Sequence, residues 1–488
     1  MLPEEITLIA QKLSKAGFRA YLVGGCVRDL VLKRTPKDWD VTTDAKPEEI
    51  QEIFPESVYE NAFGTVGVKT KSEEQTLKVI EVTTFRLDGK YTDKRHPDKI
   101  KFSKTIEDDL ARRDFTVNAM ALDLLATDYS LPTAIIDLYG GKQDLAKKTI
   151  RTVGDPLARF GEDALRMMRA VRFAVELGFS LEKSTADAIQ KLAGELELIS
   201  HERVRDELTK MLMTDNAAMG MDELVRLKLM KYVLPEMEEG IGVGQNKHHI
   251  YTVFEHNNRA LDYAAKKNYS LEVRMASLLH DVGKPRVKAG DGPDSTFYAH
   301  DIVGAKMTVK MLDRLHYSKD FIEKVAHLVR YHLFYYNVDE VTEAGVRRFL
   351  RRVGPEHVDD LIKLREADRI GSGVPKAVPY KLRHLLFMIE KVKHDAISPK
   401  MLKLDGSDIM RIAKLEPGPR VGFILNILLE EAIEDPSGNA EAKLEKRIKT
   451  LAKMTDADLA KLSEKAKKTK EEFEEGVEEE MKKKYYVK

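Results

Sequence analysis

Apolar and polar positions follow two different periods along the chain. Up to about residue 150, short β-rich apolar runs (RAYLV, TVGVKT, LKVIEVTTF and AIIDLY) alternate with helical stretches and with glycine or proline. From about residue 155 onward the apolar positions recur at helical spacing, with breaks at MLMTDNAAMG, KAGDGPDS, RIGSGVP and LEPGPRVG. The pattern predicts one α/β domain followed by several helical blocks.

The composition fits a protein of several domains. With 488 residues, of which 43% are hydrophobic and 33% charged, the chain is too long for one ordinary core and too apolar for general disorder. The 81 basic and 81 acidic side chains sum to zero formal charge, so a polyanionic partner would need a local basic face. The single cysteine, Cys26, excludes an internal disulfide and a cysteine-rich zinc module, so a metal site would use carboxylates and histidines.

The sequence predicts no membrane segment. Its first residues, MLPEEITLIAQKLSKAG, have the pattern of an amphipathic helix without a signal peptide's apolar core, and no run approaches the ~20 apolar residues of a membrane span. We expect a cytoplasmic protein without a membrane partner. The last residues, LAKLSEKAKKTKEEFEEGVEEEMKKKYYVK, are mostly charged and predict a solvated helix rather than a binding arm.

The segment LVGGCVRDLVLKRTPKDWDV contains two candidate parts of a binding site. Strand, glycine turn and helix follow one another, so Gly24 and Gly25 would aim backbone N–H groups at an anion, with Arg28 beside them as a phosphate donor. A glycine pair is equally typical of a plain turn. In DWDVTT, Asp38 and Asp40 would lie on one side of a strand, with the only tryptophan packed behind them.

Two adjacent carboxylates repel each other unless a cation lies between them. Mg²⁺ is favoured because it takes oxygen ligands and completes its shell with substrate phosphates. Glu81, in the strand-like run VIEVTTF, could supply a third acid from a neighbouring strand. A solvated strand edge is the alternative for the aspartate pair alone, and the nearby glycine turn favours the metal site.

The segment IEDDLARRDFTVNAMALD adds polar candidates. Arg112 and Arg113 would diverge by about 100 degrees on a helix, so we expect them not to share a partner and only one of them to face a site. Asp114, Thr116 and Asn118 could bind a ribose or fix a loop, and helix capping explains them equally well.

The segment DPLARFGEDALRMMRAVRFAVELGF has an arginine at every third position, at Arg166, Arg169 and Arg172. Surface pairing of Glu162 with Arg166 would stabilise a helix by a few tenths of a kcal/mol, and three arginines on one apolar helix exceed that need. Asp163 as acceptor and Arg166 as donor, one turn apart, could together match the hydrogen-bonding edge of a base.

The ordered motifs VGGCVRD, DWD, RRDFTVNA, DLYGGKQDL, GEDALRMMRAVRF and HERVRDELTKML resemble the class II tRNA nucleotidyltransferase and bacterial poly(A) polymerase family over about residues 15–240. The resemblance implies an α+β multidomain protein: a polymerase-β-type head with a mixed sheet, followed by all-α neck, HD and C-terminal helical domains. It also implies that Asp38 and Asp40 hold Mg²⁺ as catalytic carboxylates, and that Asp163 and Arg166 read the base without a nucleic-acid template. Glu81 stays the candidate third catalytic acid from the strand pattern alone. The resemblance implies that Gly25, Arg28, Arg113, Asp163, Arg166, Arg169 and Arg172 bind the nucleotide. Gly24, Asp114 and Asn118 are further nucleotide-binding candidates from the residue pattern.

The family resemblance implies addition of CCA to the 3′ end of tRNA from CTP and ATP, with release of pyrophosphate. The RNA 3′-hydroxyl is the nucleophile in such a reaction, so no side-chain nucleophile is needed. The loop FRLDGKYTDKRHPDK, with Arg86 and Arg95, is similar to that of enzymes that build the whole CCA end. A-only addition and poly(A) synthesis remain alternatives.

Histidines and aspartates recur along the later helical segments, in FEHNNRA, LLHDVGKP, FYAHDIVGA, VRYH and READRIG. A lone histidine is usually structural, but an adjacent His-Asp pair with further histidines on later helices is what a helical metal site requires. The spacing resembles the HD phosphohydrolase superfamily and implies a divalent metal of unspecified identity. The implied primary ligands are His256, His280, Asp281 and Asp368, and His300 and His332 would complete a second metal position.

Four domains follow from these motifs: a nucleotidyltransferase head at 1–152, a helical neck at 153–245, an HD domain at 246–390 and a tRNA-binding C-terminal body at 391–488. The expected HD activity is metal-dependent phosphodiester or phosphate-monoester hydrolysis, although this domain could serve mainly as an RNA-binding body. Two other readings of the whole chain are an HD phosphohydrolase with an inactive head and an RNA-binding protein without catalysis. The paired carboxylates disfavour the last reading, because carboxylates repel phosphate.

Overall fold

A computed structural model describes residues 2–59, 64–89, 100–125, 134–246, 250–334, 336–338, 342–394, 402–434 and 438–466. Most of the predicted charged end and Arg95 of the charged loop lie outside these ranges. The chain divides into two compact units. The first contains residues 1–332 and 363–374, and the second contains residues 333–362 and 375–488. The predicted domain boundaries at 152, 245 and 390 stay predictions.

The N-terminal part of the first unit is built on a seven-stranded mixed sheet in the order β3-β4-β5-β2-β1-β8-β9. β2 and β5 run parallel, and the other neighbouring strands run antiparallel. The strands are β1 Ala20–Val23, β2 Asp40–Thr43, β3 Ser57–Tyr59, β4 Thr65–Lys69, β5 Val79–Thr84, β6 Arg86–Asp88, β7 Ile100–Phe102, β8 Ala121–Asp123, β9 Ile135–Ile136, β10 Thr149–Ile150 and β11 Ser180–Leu181.

Local sequence explains these elements. β1 is buried along its whole length, as its uninterrupted apolar run requires at the centre of a sheet. In the first helix, the buried positions Ile6, Ile9, Ala10 and Leu13 follow helical spacing, and acidic residues occupy its first turn while lysines occupy its last. The predicted strand runs and the amphipathic first helix are therefore confirmed.

Helices cover the sheet and form nearly all of the remaining chain. Those up to residue 238 are α1 Glu4–Lys15, α2 Gly25–Val31, α3 Pro47–Ile53, α4 Ile106–Ala111, α5 Gly141–Lys147, α6 Pro156–Glu162, α7 Leu165–Leu177, α8 Lys183–Leu192, α9 His201–Leu212, α10 Ala217–Arg226, α11 Met230–Val233 and α12 Pro235–Glu238. The later ones are α13 Val253–Lys266, α14 Leu271–Leu279, α15 Lys284–Val287, α16 His300–Arg314, α17 Lys319–Tyr331, α18 Glu343–Val353, α19 Val358–Gly371, α20 Tyr380–His394, α21 Gly406–Ala413, α22 Pro419–Glu434 and α23 Glu441–Leu451.

The second unit has an apolar core of its own, in which leucine and isoleucine side chains from α21, α22 and α23 pack together. The predicted α+β class, a mixed-sheet head followed by a helical remainder, is confirmed. Within the described ranges, every helix is too short or too polar to cross a membrane.

Candidate functional site

A cavity of about 780 Å³ opens where the turn after β1 faces α7 and the segment that follows α9. Ten of the thirteen site residues predicted for the head and neck line it, and three, Glu81, Asp163 and Arg166, do not. The ten are Gly24, Gly25, Arg28, Asp38, Asp40, Arg113, Asp114, Asn118, Arg169 and Arg172.

The glycine turn is shaped by the side chains that crowd it. Gly24 has φ of +79°, a conformation that other residues rarely adopt. A Cβ atom at Gly24 would lie 2.9 Å from Nη1 of Arg113 and 3.4 Å from Oδ2 of Asp40. The absent side chain therefore lets a guanidinium and a carboxylate approach the backbone at the cavity.

Arg28 is fixed at the cavity by two oxygen acceptors. Its Nη1 donates to Oδ1 of Asn118 at 2.9 Å, and its Nε donates to Oδ1 of Asp29 at 2.9 Å. Arg28 is only 6% exposed, so these contacts leave its guanidinium little freedom to reorient. Asn118 thus orients the predicted phosphate donor.

Asp38 and Asp40 both line the cavity, but their environments differ. Asp40 is the first residue of β2, whereas Asp38 precedes the strand and is exposed. Burial raises the pKa of Asp40, the charge of Arg113 lowers it, and the charge of Asp38 raises it further. Trp39 is 7% exposed and packs into the core, as predicted.

This pair of carboxylates fits Mg²⁺. Their mutual repulsion would be relieved by a cation between them, and carboxylate oxygens are the donors that Mg²⁺ prefers. Glu81 lies opposite Asp40 in the register of β5 and β2, on an exposed position outside the cavity lining. Its role as third acid stays a prediction.

The expectation that Arg112 and Arg113 do not share a partner is wrong. Arg112 donates to Oδ1 of Asp109 at 2.6 Å, while Arg113 donates to Oδ2 of the same carboxylate at 3.1 Å. The helix α4 ends at Ala111, so the angular spacing of a continuous helix does not apply to these two residues. Only Arg113 lines the cavity, in agreement with the expectation that one of them faces it.

Asp163 and Arg166 are placed differently from the expectation of one continuous helix. The backbone of Asp163 is extended, with φ of −145° and ψ of 106°, and it separates α6 from α7. Its carboxylate accepts hydrogen bonds from Arg203 at 2.7 and 3.3 Å. Arg166 is bound to Glu162 and to the carbonyl oxygen of Arg159. The predicted Glu162–Arg166 pairing is thus present. Asp163 and Arg166, the two groups expected to read the base, both bind other residues of the protein.

Arg169 and Arg172 face the cavity from α7 and are held by carboxylates. Arg169 pairs with Asp114 at 2.8 Å. Arg172 donates to Glu207 at 2.6 Å and to Glu176 at 2.7 Å. Burial would raise the pKa of Asp114, but the charges of Arg169 and Arg166, with the hydrogen bonds that this carboxylate accepts, together outweigh it and keep that pKa below its ordinary value.

Further polar residues that sequence reasoning did not single out also line the cavity. They are Asp29, Arg34, Thr35, Lys37, Glu176, Lys210, Thr214, Asp215 and Asn216. Lys210 lies in the motif HERVRDELTKML, so the resemblance could have pointed to it. The residues after Met213 form the break MLMTDNAAMG, and no periodic feature distinguishes such a break from an ordinary loop.

The six predicted HD ligands come together as two buried groups of three. One group is His256, His280 and Asp368, and the other is Asp281, His300 and His332. Asp281 lies between them: its Oδ2 is 3.2 Å from Nε2 of His256, and its Oδ1 is 3.2 Å from Nε2 of His300. Each oxygen of one carboxylate thus faces a different group.

Backbone carbonyls orient three of the four imidazoles. Nδ1 of His280 lies 2.9 Å from the carbonyl oxygen of Ser277, and Nδ1 of His300 and of His332 lie 2.6 and 2.7 Å from the carbonyl oxygens three residues earlier. These contacts direct the Nε2 atoms inward, as metal-ligating histidines require.

The electrostatics of the cluster fit a divalent cation. Burial lowers the pKa of His256, but hydrogen bonds to Asp281 and Asp368 outweigh it and raise the pKa to about 9. Nε2 of His256 and Nε2 of His280 are only 2.8 Å apart. Buried carboxylates that attract positive charge towards converging imidazole nitrogens form a donor set suited to a divalent metal, whose identity the donors do not decide.

Three parts of the chain match known sequence families. Residues 20–151 match the "Poly A polymerase head domain", residues 178–241 match the "Probable RNA and SrmB- binding site of polymerase A", and residues 253–371 match the "HD domain". The three families occur in the order that the motifs predicted.

Similar proteins extend these matches along the chain. The A-adding tRNA nucleotidyltransferase of Deinococcus radiodurans is 37% identical over 68% of this chain and 76% of its own length. The CCA-adding enzyme of Lactococcus lactis subsp. cremoris is 32% identical over 93% of this chain and 98% of its own length.

A solved structure agrees with the sequence relatives. The crystal structure of the Bacillus stearothermophilus CCA-adding enzyme in complex with CTP has a TM-score of 0.59 and 28% identity, covering 92% of this chain and 97% of that one. Together with the cavity that gathers the motif residues, these similarities show that the chain is a nucleotidyltransferase belonging to the family of CCA-adding enzymes and related tRNA nucleotidyltransferases.

Proposed function

We propose that this protein adds the 3′-terminal CCA to tRNA from CTP and ATP and releases pyrophosphate. The observation that carries the proposal is the convergence of Asp38 and Asp40 with Arg28, Arg113 and Arg169 around one cavity. The full-length similarity to a CCA-adding enzyme favours CCA addition. A-only addition is the alternative, because an A-adding enzyme is also a relative.

Different residues of the cavity have different roles in phosphoryl transfer. Arg28 and Arg113 bind the triphosphate beside the glycine turn, where backbone and guanidinium groups already lie close together. Asp38 and Asp40 would hold Mg²⁺, which would supply charge stabilisation for phosphoryl transfer. The exposed position of Asp38 leaves the cavity accessible to the RNA 3′-hydroxyl from that side.

Asp163 and Arg166 are proposed to read the base edge. Their present partners, Arg203 and Glu162, must release them or share them with the nucleotide. Arg203 keeps Asp163 paired when no base is bound, which avoids an isolated carboxylate in a site where Asp163 is 8% exposed.

A substitution of one carboxylate tests the transferase site. Asp38→Asn should abolish incorporation of CTP and ATP into tRNA that lacks its CCA end, because the amide no longer neutralises a divalent cation. Binding of that tRNA should stay within about twofold of the parent. Asp187→Asn, an exposed change on α8, is the matched control and should keep parental activity. Full incorporation by Asp38→Asn would contradict the metal assignment.

A second function, metal-dependent hydrolysis of a phosphodiester or phosphate monoester, is proposed for the HD region, defined as residues 253–371. The observation that favours it is the pair of three-ligand groups joined by Asp281. Lys284 supports this role because its Nζ lies 2.6 Å from Oδ2 of Asp281 and keeps that carboxyl ionised.

Loss of one HD ligand tests this second function. His280→Ala should eliminate metal-dependent hydrolysis of 2′,3′-cyclic phosphate and leave CCA addition unchanged. His327→Ala, on the neighbouring α17 and outside the two ligand groups, is the control for loss of an imidazole. Equal hydrolysis by His280→Ala and by the parent would contradict the proposed hydrolytic activity of the HD region.

A further inference from the structure

A buried arginine of the HD region reaches the loop that forms one wall of the head cavity. Arg274 lies on α14 and its side chain is fully buried. Its Nη1 donates to the carbonyl oxygens of Leu212 and Thr214, both at 2.9 Å. Leu212 is the last residue of α9, and residues 213–216, which follow it, all line the cavity.

The remaining N–H groups of Arg274 bind acceptors at the end of α13 and in the segment between α13 and α14. Nε donates to the carbonyl oxygen of Tyr269 at 2.8 Å, and Nη2 donates to the carbonyl oxygen of Ala265 at 3.3 Å and to Oδ1 of Asn268 at 3.1 Å. Five hydrogen bonds thus join the end of α13 to the end of α9. The planar guanidinium, with its five N–H donors, suits this arrangement, and an ammonium with three donors cannot reproduce it.

The acceptors explain why an arginine is buried here. The last carbonyls of α9 and α13 have no partners within their own helices. Arg274 donates to one such carbonyl in each helix, that of Leu212 and that of Ala265, and all five of its acceptors are neutral oxygens. A charge buried on neutral acceptors is costly unless its hydrogen bonds are complete, so the position tolerates little movement of the loop.

The other end of the loop is tied to α7. Nδ2 of Asn216 donates to the carbonyl oxygen of Val175, one residue before Glu176, which lines the cavity beside Arg172. The 213–216 wall is therefore held between α14 and the helix that carries the nucleotide-facing arginines.

We propose that Arg274 is a positioning residue of the transferase: it fixes the 213–216 wall and thereby sets the shape of the nucleoside triphosphate site. The inference rests on the proposed function, and it adds that a residue of the HD region helps to form the transferase cavity. Because the wall adjoins Arg172 and Glu176, its displacement should weaken the binding of CTP and ATP more than that of tRNA.

The first test compares Arg274→Lys with the parent. We expect the Kd and KM for CTP to rise at least fivefold, with a change of less than twofold in the KM for tRNA. Met275→Ala is the matched control, since Met275 is equally buried on the same helix. It should lower the unfolding temperature and leave the Kd for CTP within twofold. A parental Kd for CTP in folded Arg274→Lys would overturn the proposal.

A milder variant decides the question if Arg274→Lys does not fold. Asn268→Gly removes one acceptor of Arg274 and keeps the backbone, because Asn268 has φ of +52°. Its Kd for CTP should rise two- to threefold, and a parental value would overturn the proposal.

Equilibrium binding of CTP distinguishes failure of the positioning role of Arg274 from failure of the proposed transferase function. A parent that binds CTP but incorporates none would contradict the proposed function alone.

Discussion

At the scale of single residues, the charged groups that line the cavity bind one another. Arg28 is oriented by Asn118, Arg113 by Asp109, and Arg169 by Asp114. The sequence predicted Arg28, Arg113 and Arg169 because each belongs to a motif. Asp109 could not be identified, because its role depends on a helix that ends two residues before Arg113.

Asp109→Asn should lower both stability and activity. Asp109 is fully buried between two guanidinium groups, and breaking a buried pair costs about 3 kcal/mol in the free energy of unfolding. Burial raises the pKa of Asp109, but Arg112 and Arg113 outweigh it and lower that pKa overall. The stabilisation should thus be present at neutral pH and be lost only as the pH falls below about 4. Denaturant titrations of both proteins at pH 7 and pH 3 measure this difference, and equal stability at pH 7 would contradict it.

Gly24→Ala should impair nucleotide incorporation at least tenfold. The new Cβ would meet the guanidinium of Arg113 at 2.9 Å, so this group, which is proposed to bind the triphosphate, must move. Gly17→Ala is a matched control, because Gly17 has φ of +89° and open space around its Cβ position. Both variants place a Cβ on a backbone with positive φ, a strain of order 1–3 kcal/mol. Similar kcat/KM values for CTP in the two variants would refute the role of this close approach.

At the scale of elements, periodicity predicted the strands and helices but not the interruption at Asp163. Both α6 and α7 have helical spacing, and the extended residue between them differs in no obvious pattern from its neighbours. The consequence is chemical: the carboxylate of Asp163 pairs with Arg203 of α9 and does not line the cavity. An ion pair with Arg203, on a helix distant in the sequence, therefore decides where the carboxylate of Asp163 points.

Asp163→Asn should change the ratio of CTP to ATP incorporation at least tenfold. The amide replaces one acceptor by a donor, which alters the hydrogen-bonding pattern offered to a base. Single-nucleotide incorporation with CTP and with ATP measures the ratio, and Asp187→Asn again serves as the control. An unchanged ratio in a folded variant would count against base reading by Asp163.

At the scale of the whole molecule, the zero formal charge of the chain does not show how charges are arranged at the cavity. Seven basic side chains, including Arg34, Lys37 and Lys210, line it together with six acidic ones. Composition alone could not reveal this mixed lining, because it depends on which distant segments of the chain meet. The assembly of six HD ligands from five helical segments was predictable only through the family spacing, since each histidine by itself is typical of a structural core.

Binding of tRNA should weaken steeply with salt. Each phosphate contact contributes about −0.9 to the slope of log K against log salt on a duplex and about −0.7 on a single strand. Lys210→Ala should reduce this slope by about 1, whereas Lys191→Ala, exposed on α8, should leave it unchanged. Filter binding of tRNA over a salt range of about 50 to 200 mM measures these slopes. Equal slopes for Lys210→Ala and the parent would exclude Lys210 from phosphate contact.

The most direct measurement uses three tRNAs that end before C74, before C75 and before A76, each incubated with CTP, with ATP and with both nucleotides. If the protein adds CCA, CTP alone should extend the first tRNA by two residues and the second by one. ATP alone should extend only the third, and both nucleotides together should bring all three to the full CCA end. Extension of the third tRNA alone, and only where ATP is supplied, would contradict CCA addition and identify an A-adding enzyme.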